Sequence, residues 1–310
     1  MIGQKRVVGL SAGEPGGSAE IVLKEALRGA EAAGARVELV RVADLRLSVG
    51  PDTRSDDAAW FWDRLMDSDG LIVSTPIYSR TIPGRLRLLG DKISGPQADA
   101  VFTAQLIQMR AEGRRPAVEF EVDERVLRPR VAGFIAVGGS LPARWKSLAL
   151  PLMHTLTESA RIAVVDQVEF AGAGSQASIV LDAGALQRAR RLGFAVGDQA
   201  GRAFEDARYT GDPGVCPMCH LSVVVLRSDG VECASCGATG TLSINDGKPT
   251  VSFPDEGRST SVITTEEKLD HFREVQRTAE AQSLRRSEID QIAATYAAWD
   301  PRATPRSDGA

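Results

Sequence analysis

A chain of 310 residues that is 43% hydrophobic and 25% charged has the balance of a soluble globular protein. That length buries a full core without disulfides. Its net charge of −4 and pI near 5.6 argue against nucleic acid, whose phosphates need clustered Lys and Arg. No apolar run approaches the roughly 20 residues that span a bilayer. The N-terminus lacks the apolar core and cleavage site of a signal peptide, so a cytoplasmic protein is expected.

Lys5 to Leu10 is a short β-branched run and reads as a buried strand. A Gly- and Ser-containing loop, Ser11 to Ser18, follows it. Apolar positions at Val22, Leu23, Ala26, Leu27, Ala30 and Ala33 then recur at helical spacing, with Ser18 as the expected cap. Val37 to Val42 predicts a second strand, Asp56 to Met66 a helix, and Gly70 to Thr75 a third strand. Pro83 stands at the start of the next helix, where its missing N–H does no harm. Pro96 to Pro129 is longer than a plain connection and predicts an inserted helix with an extended segment. Val131 to Val137 is a fourth strand and Arg161 to Phe170 holds a fifth. Leu186, Ala189, Leu192, Val196, Ala200 and Phe204 mark a long helix. Strands alternating with helices imply an α/β fold with a parallel five-stranded sheet covered on both faces.

Composition changes at Gly211-Asp-Pro-Gly214. The four cysteines of the chain follow as C-x2-C-x13-C-x2-C: Cys216, Cys219, Cys233 and Cys236. Each C-x2-C turn brings two thiolates onto one cation, and two such turns complete a tetrahedron. Between them, Leu221 to Leu226, a turn at Ser228-Asp-Gly230, and Val231 form a hairpin candidate. A closed set of four thiolates predicts structural zinc in a small β ribbon. Iron in a rubredoxin-type site has the same ligand count and is the competitor. Zinc is favoured because no Phe, Trp or Tyr occurs between Cys216 and Ser252. His220 beside Cys219 reads as a bystander. Thr264-x-x-Glu267 then looks like a capping box opening a charged helix with Leu269, Phe272, Val275 and Ala279 on one face. A last helical patch holds Ile289, Ile292, Ala293 and Tyr296, and a polar tail begins near residue 300. The expected division is a domain at 1–210, a ribbon at 211–258, a helical extension at 259–299 and a disordered tail at 300–310.

In an open parallel sheet, ligands bind beyond the carboxyl ends of the strands, where strand order reverses. Three loops leave those ends. The first, Ser11 to Ala19, has glycines for close backbone approach and a helix N-terminus for a phosphate. It fits neither G-x-G-x-x-G nor a nucleotide-triphosphate loop. The second, Thr75 to Gly84, sets Tyr78 and hydroxyls between two prolines. The third is Gly138-Gly-Ser-Leu-Pro142.

Pro76-Ile-Tyr78, Pro83-Gly84, Leu86 and Asp91 resemble the P-x-Y-x4-P-G-x-L-x4-D signature of the NADPH-dependent FMN reductase family, and the likeness runs from Lys5 to Phe204. The resemblance implies a flavodoxin-like fold. It places Ser11, Gly16, Gly17, Ser18 and Ala19 at the FMN phosphate. Pro76, Ile77, Tyr78, Ser79 and Arg80 fall along the flavin ring, with Gly138, Gly139 and Ser140 at its other edge. Ala12 and Glu14 stand where the family has a Ser and an Arg, and Ser18-Ala19 replaces its Asn-Thr pair. The compact cysteine cluster of iron–sulfur relatives is absent, since Leu47 to Asp57 holds no cysteine.

The activity so implied is that of an oxidoreductase, hydride passing from NAD(P)H to FMN and electrons on to a quinone, an aromatic compound, free flavin or a protein. An electron carrier without nicotinamide turnover, its ribbon a docking module, is the alternative. No catalytic acid or base is nominated, and relatives of this kind imply a homodimer or homotetramer.

Overall fold

In the computed structural model, which describes residues 3–49 and 56–303, five parallel strands form one sheet in the order β2-β1-β3-β4-β5. They are β1 (Arg6–Ser11), β2 (Arg36–Arg41), β3 (Gly70–Pro76), β4 (Val131–Val137) and β5 (Ala163–Phe170). This is the doubly wound, flavodoxin-like order, with its reversal between β1 and β3. Burial on both faces explains why β3 and β4 read as nearly continuous apolar runs: every residue of β4 is buried.

Helices α1 (Ser18–Ala32) and α6 (Ala183–Gln199) cover one face, packing Val22, Leu23, Ala26, Leu192 and Val196 into its core. Their backbones touch. A Cβ added at Gly193 would lie 1.7 Å from the carbonyl oxygen of Ala26, and one at Gly29 would lie 2.0 Å from that of Arg190. The other face carries α2 (Ala58–Met66), α3 (Gly84–Ile93) and the short α5 (Ala149–His154), over a core containing Phe61, Leu65, Leu86, Leu89, Phe134 and Met153.

The expected insertion is α4 (Ala100–Ala111) followed by an irregular stretch. Asp99 caps α4 by accepting from the N–H groups of Val101 and Phe102. The C-terminal helix α8 (Thr265–Ser283) docks on this insertion. Phe272 meets Phe102 edge-on at 5.1 Å, Lys268 Nζ lies 2.5 Å from Asp99 Oδ2, and the Gln276 carboxamide bonds the backbone of Ala117 and Val118. Thr264 Oγ1 accepts from the Glu267 N–H, as the capping motif predicts. Between the two helical regions lies a four-stranded antiparallel sheet, β6 (Val224–Leu226), β7 (Val231–Cys233), β8 (Thr239–Asn245) and β9 (Lys248–Ser252), then the short α7 (Asp255–Ser259). Helix α9 (Arg286–Ala297) follows α8 and buries none of its residues.

Two local expectations need correction. Gly17, not Ser18, is the N-cap of α1, and no side chain caps that helix; the Ser18 hydroxyl instead accepts from the Ile179 N–H at 3.4 Å. Pro83 does stand at the start of its helix, as the N-cap, with Gly84 the first helical residue. Helix α6 stops at Gln199, because Ala200 turns extended and Gly201 adopts φ +73° with its N–H on the Asp69 carbonyl. Phe204 therefore lies outside the helix, its ring under the Arg161 guanidinium at 4.7 Å. Of the expected tail at 300–310, residues 304–310 lie outside the described residues.

Candidate functional site

The loops after β1, β3 and β4 share the carboxyl edge of the sheet because parallel pairing aligns those strand ends. In the first loop, Gly17 N–H bonds the Glu14 carbonyl at 2.9 Å and Gly16 takes φ +73°. This tight turn leaves the Glu14 side chain exposed. The opening N–H groups of α1, at Ser18 and Ala19, have no carbonyl partner within the helix and face the loop mouth. Ser11 is fully buried at the loop root, and its Oγ has no hydrogen-bond partner. An unpaired buried hydroxyl costs about 1–3 kcal/mol.

The second loop is a minimal hairpin. Tyr78 and Thr81 exchange both backbone hydrogen bonds at 2.9 Å, and between them Ser79 and Arg80 take φ of 48° and 76°. Two consecutive non-glycine residues in the left-handed region are strained, and such strain concentrates at functional sites. Tyr78 is 54% exposed, which excludes a core role. Pro76 and Ile77 are half-buried at the hairpin root. The second half of the signature serves the fold: Leu86 is fully buried and Asp91 pairs with Arg87 along α3.

The third loop is pinned to β5. Gly138 N–H bonds the Phe170 carbonyl at 2.8 Å, and the Ala173 N–H bonds the Gly138 carbonyl at 3.1 Å. Gly139 and Ser140 are exposed, and a Cβ at Gly139 would lie 3.2 Å from the Cα of Gly174. Lys146, buried beneath this loop, pairs with Glu169 at 3.0 Å. Arg80 Nη2 donates to Ser147 Oγ at 3.0 Å and joins the second and third loops. Bare backbone, an unpaired hydroxyl, a helix N-terminus and an exposed tyrosine are the surroundings that a phosphorylated, flat aromatic cofactor fits. A cavity of about 720 Å³ between α2, α3 and the 121–124 segment shares no residue with these loops.

The four cysteine sulfurs lie within 4.8 Å of one another and are all buried. Cys216 and Cys236 are 3.6 Å apart, and Cys219 and Cys233 are 3.4 Å apart. A tetrahedron of sulfurs at zinc–thiolate distance has edges of about 3.8 Å, so the donor set fits such a cation after small adjustment. The two turns are alike: Gly237 N–H bonds the Cys233 carbonyl and His220 N–H the Cys216 carbonyl, with φ of 72° and 59°. His220 thus fills the place of Gly237, and its ring stacks on Tyr209 at 3.7 Å, outside the sulfur cluster. Phe253, just past the stretch free of aromatics, packs against the cysteines, as do Met218, Leu150 and Ile263.

Gln167 joins this cluster to the main sheet. From β5 its Nε2 donates to the carbonyls of Cys219 and His220 at 2.9 and 3.2 Å. Its Oε1 must therefore accept from His154 Nε2, 2.8 Å away. Burial pushes the His154 pKa down to about 4, which keeps the ring neutral. Neither Gln167 nor Lys146 carries a sequence signal, since each acts through a neighbour that only the fold supplies.

Residues 5–176 match the family model described as NADPH-dependent FMN reductase. The chain belongs to this family. As an FMN reductase family member it is a flavin-binding oxidoreductase, with a C-terminal cysteine cluster resembling a zinc ribbon. It is 31% identical over 309 residues to flavone synthase cfoJ of Aspergillus candidus, covering 92% of this chain and 93% of that one. It is also similar to a solved structure named flavone reductase, with a TM-score of 0.82 and 27% identity. That likeness covers 97% of this chain and 100% of the other. No helix among the described residues is long and apolar enough to cross a membrane.

Proposed function

We propose that the chain reduces the C=C bond conjugated to the ketone of a flavone-like aromatic compound, with NAD(P)H as hydride source and FMN held across the three loops. The observation that carries this reading is the likeness, ribbon and C-terminal helices included, to two proteins named for flavones. Forming and reducing a flavone are the two directions of one two-electron couple. In the reducing direction NAD(P)H loses a hydride, the β carbon of the enone gains it, and a proton from water completes the α carbon. FMN, when bound, supplies the hydride relay.

The residues of the chain bind and orient. Gly16, Ser18 and Ala19 offer backbone N–H groups to the phosphate, Gly17 closes the turn that presents them through its bond to Glu14, and Ser11 stands at the loop root with its hydroxyl unpaired. Pro76, Ile77, Tyr78, Ser79 and Arg80 line the ring, while Gly138, Gly139 and Ser140 leave room along its opposite edge. The same reading takes residues 1–210 as the FMN domain, 211–258 as a ribbon closed by zinc on Cys216, Cys219, Cys233 and Cys236, and 259–299 as a helical extension. Four reduced thiols suit a cytoplasmic protein. The exposed Ile292 and Tyr296 of α9, and Trp299 just after it, suit a homo-oligomer.

An anaerobic titration tests this reading. The FMN-loaded protein should bleach with NAD(P)H and recolour when flavone is added, with one dihydro product formed per nicotinamide oxidised. Bleaching without recolouring by flavone would move the acceptor to a quinone, free flavin or a protein. No bleaching would leave the electron-carrier reading.

A further inference from the structure

The loop after β4 carries two large apolar side chains that the protein itself leaves uncovered. Leu141 is 75% exposed and Trp145 is 51% exposed. The backbone beneath them is tightly held. Trp145 N–H bonds the Pro142 carbonyl and Lys146 N–H the Ala143 carbonyl. Lys146 Nζ reaches the Leu141 carbonyl at 3.4 Å as well as Glu169. The loop is also tied sideways to the Tyr78 hairpin through Arg80 and Ser147. An indole and a leucine exposed on a braced loop, tied to the hairpin that carries the comparably exposed Tyr78, lie ready for an apolar ligand. Gly139 and Ser140, the two residues before Leu141 on the same loop, border the proposed flavin edge.

Resting on the function proposed above, we infer that Trp145, with Leu141 beside it, is the platform on which the rings of the aromatic acceptor lie. Trp145 is then the residue that selects flat aromatic ketones. The first loop and the Gly138-Gly-Ser140 stretch offer mainly backbone and small side chains, which suit a cofactor. Trp145 offers a wide π face, the surface that a flat, conjugated acceptor stacks on. The exposed Arg144 next to it gives the ring substituents of such an acceptor a cation to meet.

The experiment compares wild type, Trp145→Ala and Trp145→Phe as FMN-loaded proteins, with flavone itself as the probe. Trp145→Ala should raise the flavone KM by about 10-fold, the scale of one lost aromatic contact. It should leave kcat at saturating flavone within about twofold. Trp145→Phe should restore most of the affinity, and the flavin dissociation constant should match wild type in both variants. An unchanged flavone KM in Trp145→Ala would overturn the inference while leaving the proposed function standing. So would a parallel loss of flavin affinity, which would make Trp145 part of the cofactor site. A changed oligomeric state by light scattering would assign the indole to a subunit contact instead. Wild type that neither binds nor reduces flavone would remove the proposed function and this platform with it.

Discussion

Tyr78 owes its exposure to the two residues after it. Ser79 and Arg80 accept left-handed backbone so that the hairpin closes in two residues, and the phenol is left standing above the β3 end. Tyr78→Ala should weaken FMN binding by about 1–3 kcal/mol, the worth of covering one aromatic face, and flavin fluorescence titration measures it. An equal affinity would make the ring a bystander. Glu20 shows a different use of a single residue. It is buried, and the guanidinium of Arg41 bonded to it, with help from Lys24, holds its pKa down at about 2 against an ordinary 4.5. A carboxylate whose folded pKa is depressed stabilises the fold above its unfolded pKa and loses that contribution as pH falls. The window here is from about pH 4.5 down to about 2. Glu20→Gln should cost about 1–3 kcal/mol at pH 7, less than a fully enclosed pair because Arg41 and Lys24 reach solvent. The same variant should flatten the loss of stability between those pH values in denaturant unfolding.

At the scale of elements, the insertion and the C-terminal helix depend on one another. Helix α4 has little amphipathic bias of its own, and its Phe102 and Leu106 are buried in a cluster with Phe272 of α8, flanked by Phe120 and Val122 of the insertion and Val275 of α8. Asp99 serves both: one oxygen caps α4 and the other pairs with Lys268. Phe272→Ala should therefore cost about 3–5 kcal/mol. Hydrogen exchange should rise along 100–122 and 265–280 and stay slow in β1, β3 and β4. Exchange rising in α8 alone would show that α4 stands without it. Helices α1 and α6 meet through the opposite device, glycine backbone against backbone at Gly29 and Gly193. A larger side chain at either glycine has nowhere to go, because the obstructing atoms are main-chain carbonyls.

At the scale of the whole molecule, the cysteine cluster is wired to the main sheet rather than hung from it. Gln167 on β5 holds the first cysteine turn, and Leu150 of α5 packs against both the sheet core and the cysteines. Two residues beyond Gln167 on the same strand, Glu169 pairs with Lys146 under the third loop. Because a closed metal site carries the folding energy of its own module, chelation or Cys233→Ser should release 215–253. Gln167 and His154 would then lose their partners, so exchange should also rise in β5 and α5, while β1 to β3 stay protected. Elemental analysis should find one zinc per chain, and a red protein with stoichiometric iron would contradict the assignment. Protection lost in the ribbon alone would show that the Gln167 contacts carry no coupling.

The sequence alone was enough for whatever rests on local spacing. Strand and helix order follows from the alternation of β-branched runs with 3.6-residue periodicity. The cysteine quartet follows from two C-x2-C turns, and the position of three loops at the carboxyl ends of the strands from the strand order itself. The ribbon's second hairpin was legible too: Asn245-Asp-Gly-Lys248 is a two-residue turn signal, and Asp246 and Gly247 do take positive φ. Contacts between residues far apart in the chain were decided only by tertiary structure. Nothing near Gln167 announces that it will bond Cys219, 52 residues on, nor does anything near Asp99 announce Lys268, 169 residues away. The end of α6 at Gln199 belongs with these, since the Leu186-to-Phe204 periodicity runs on while Gly201 is drawn to the Asp69 carbonyl. Periodicity reports which face of an element is apolar. Which partner covers that face, and which large side chains, such as Tyr78 and Trp145, are left uncovered, is settled when the elements pack.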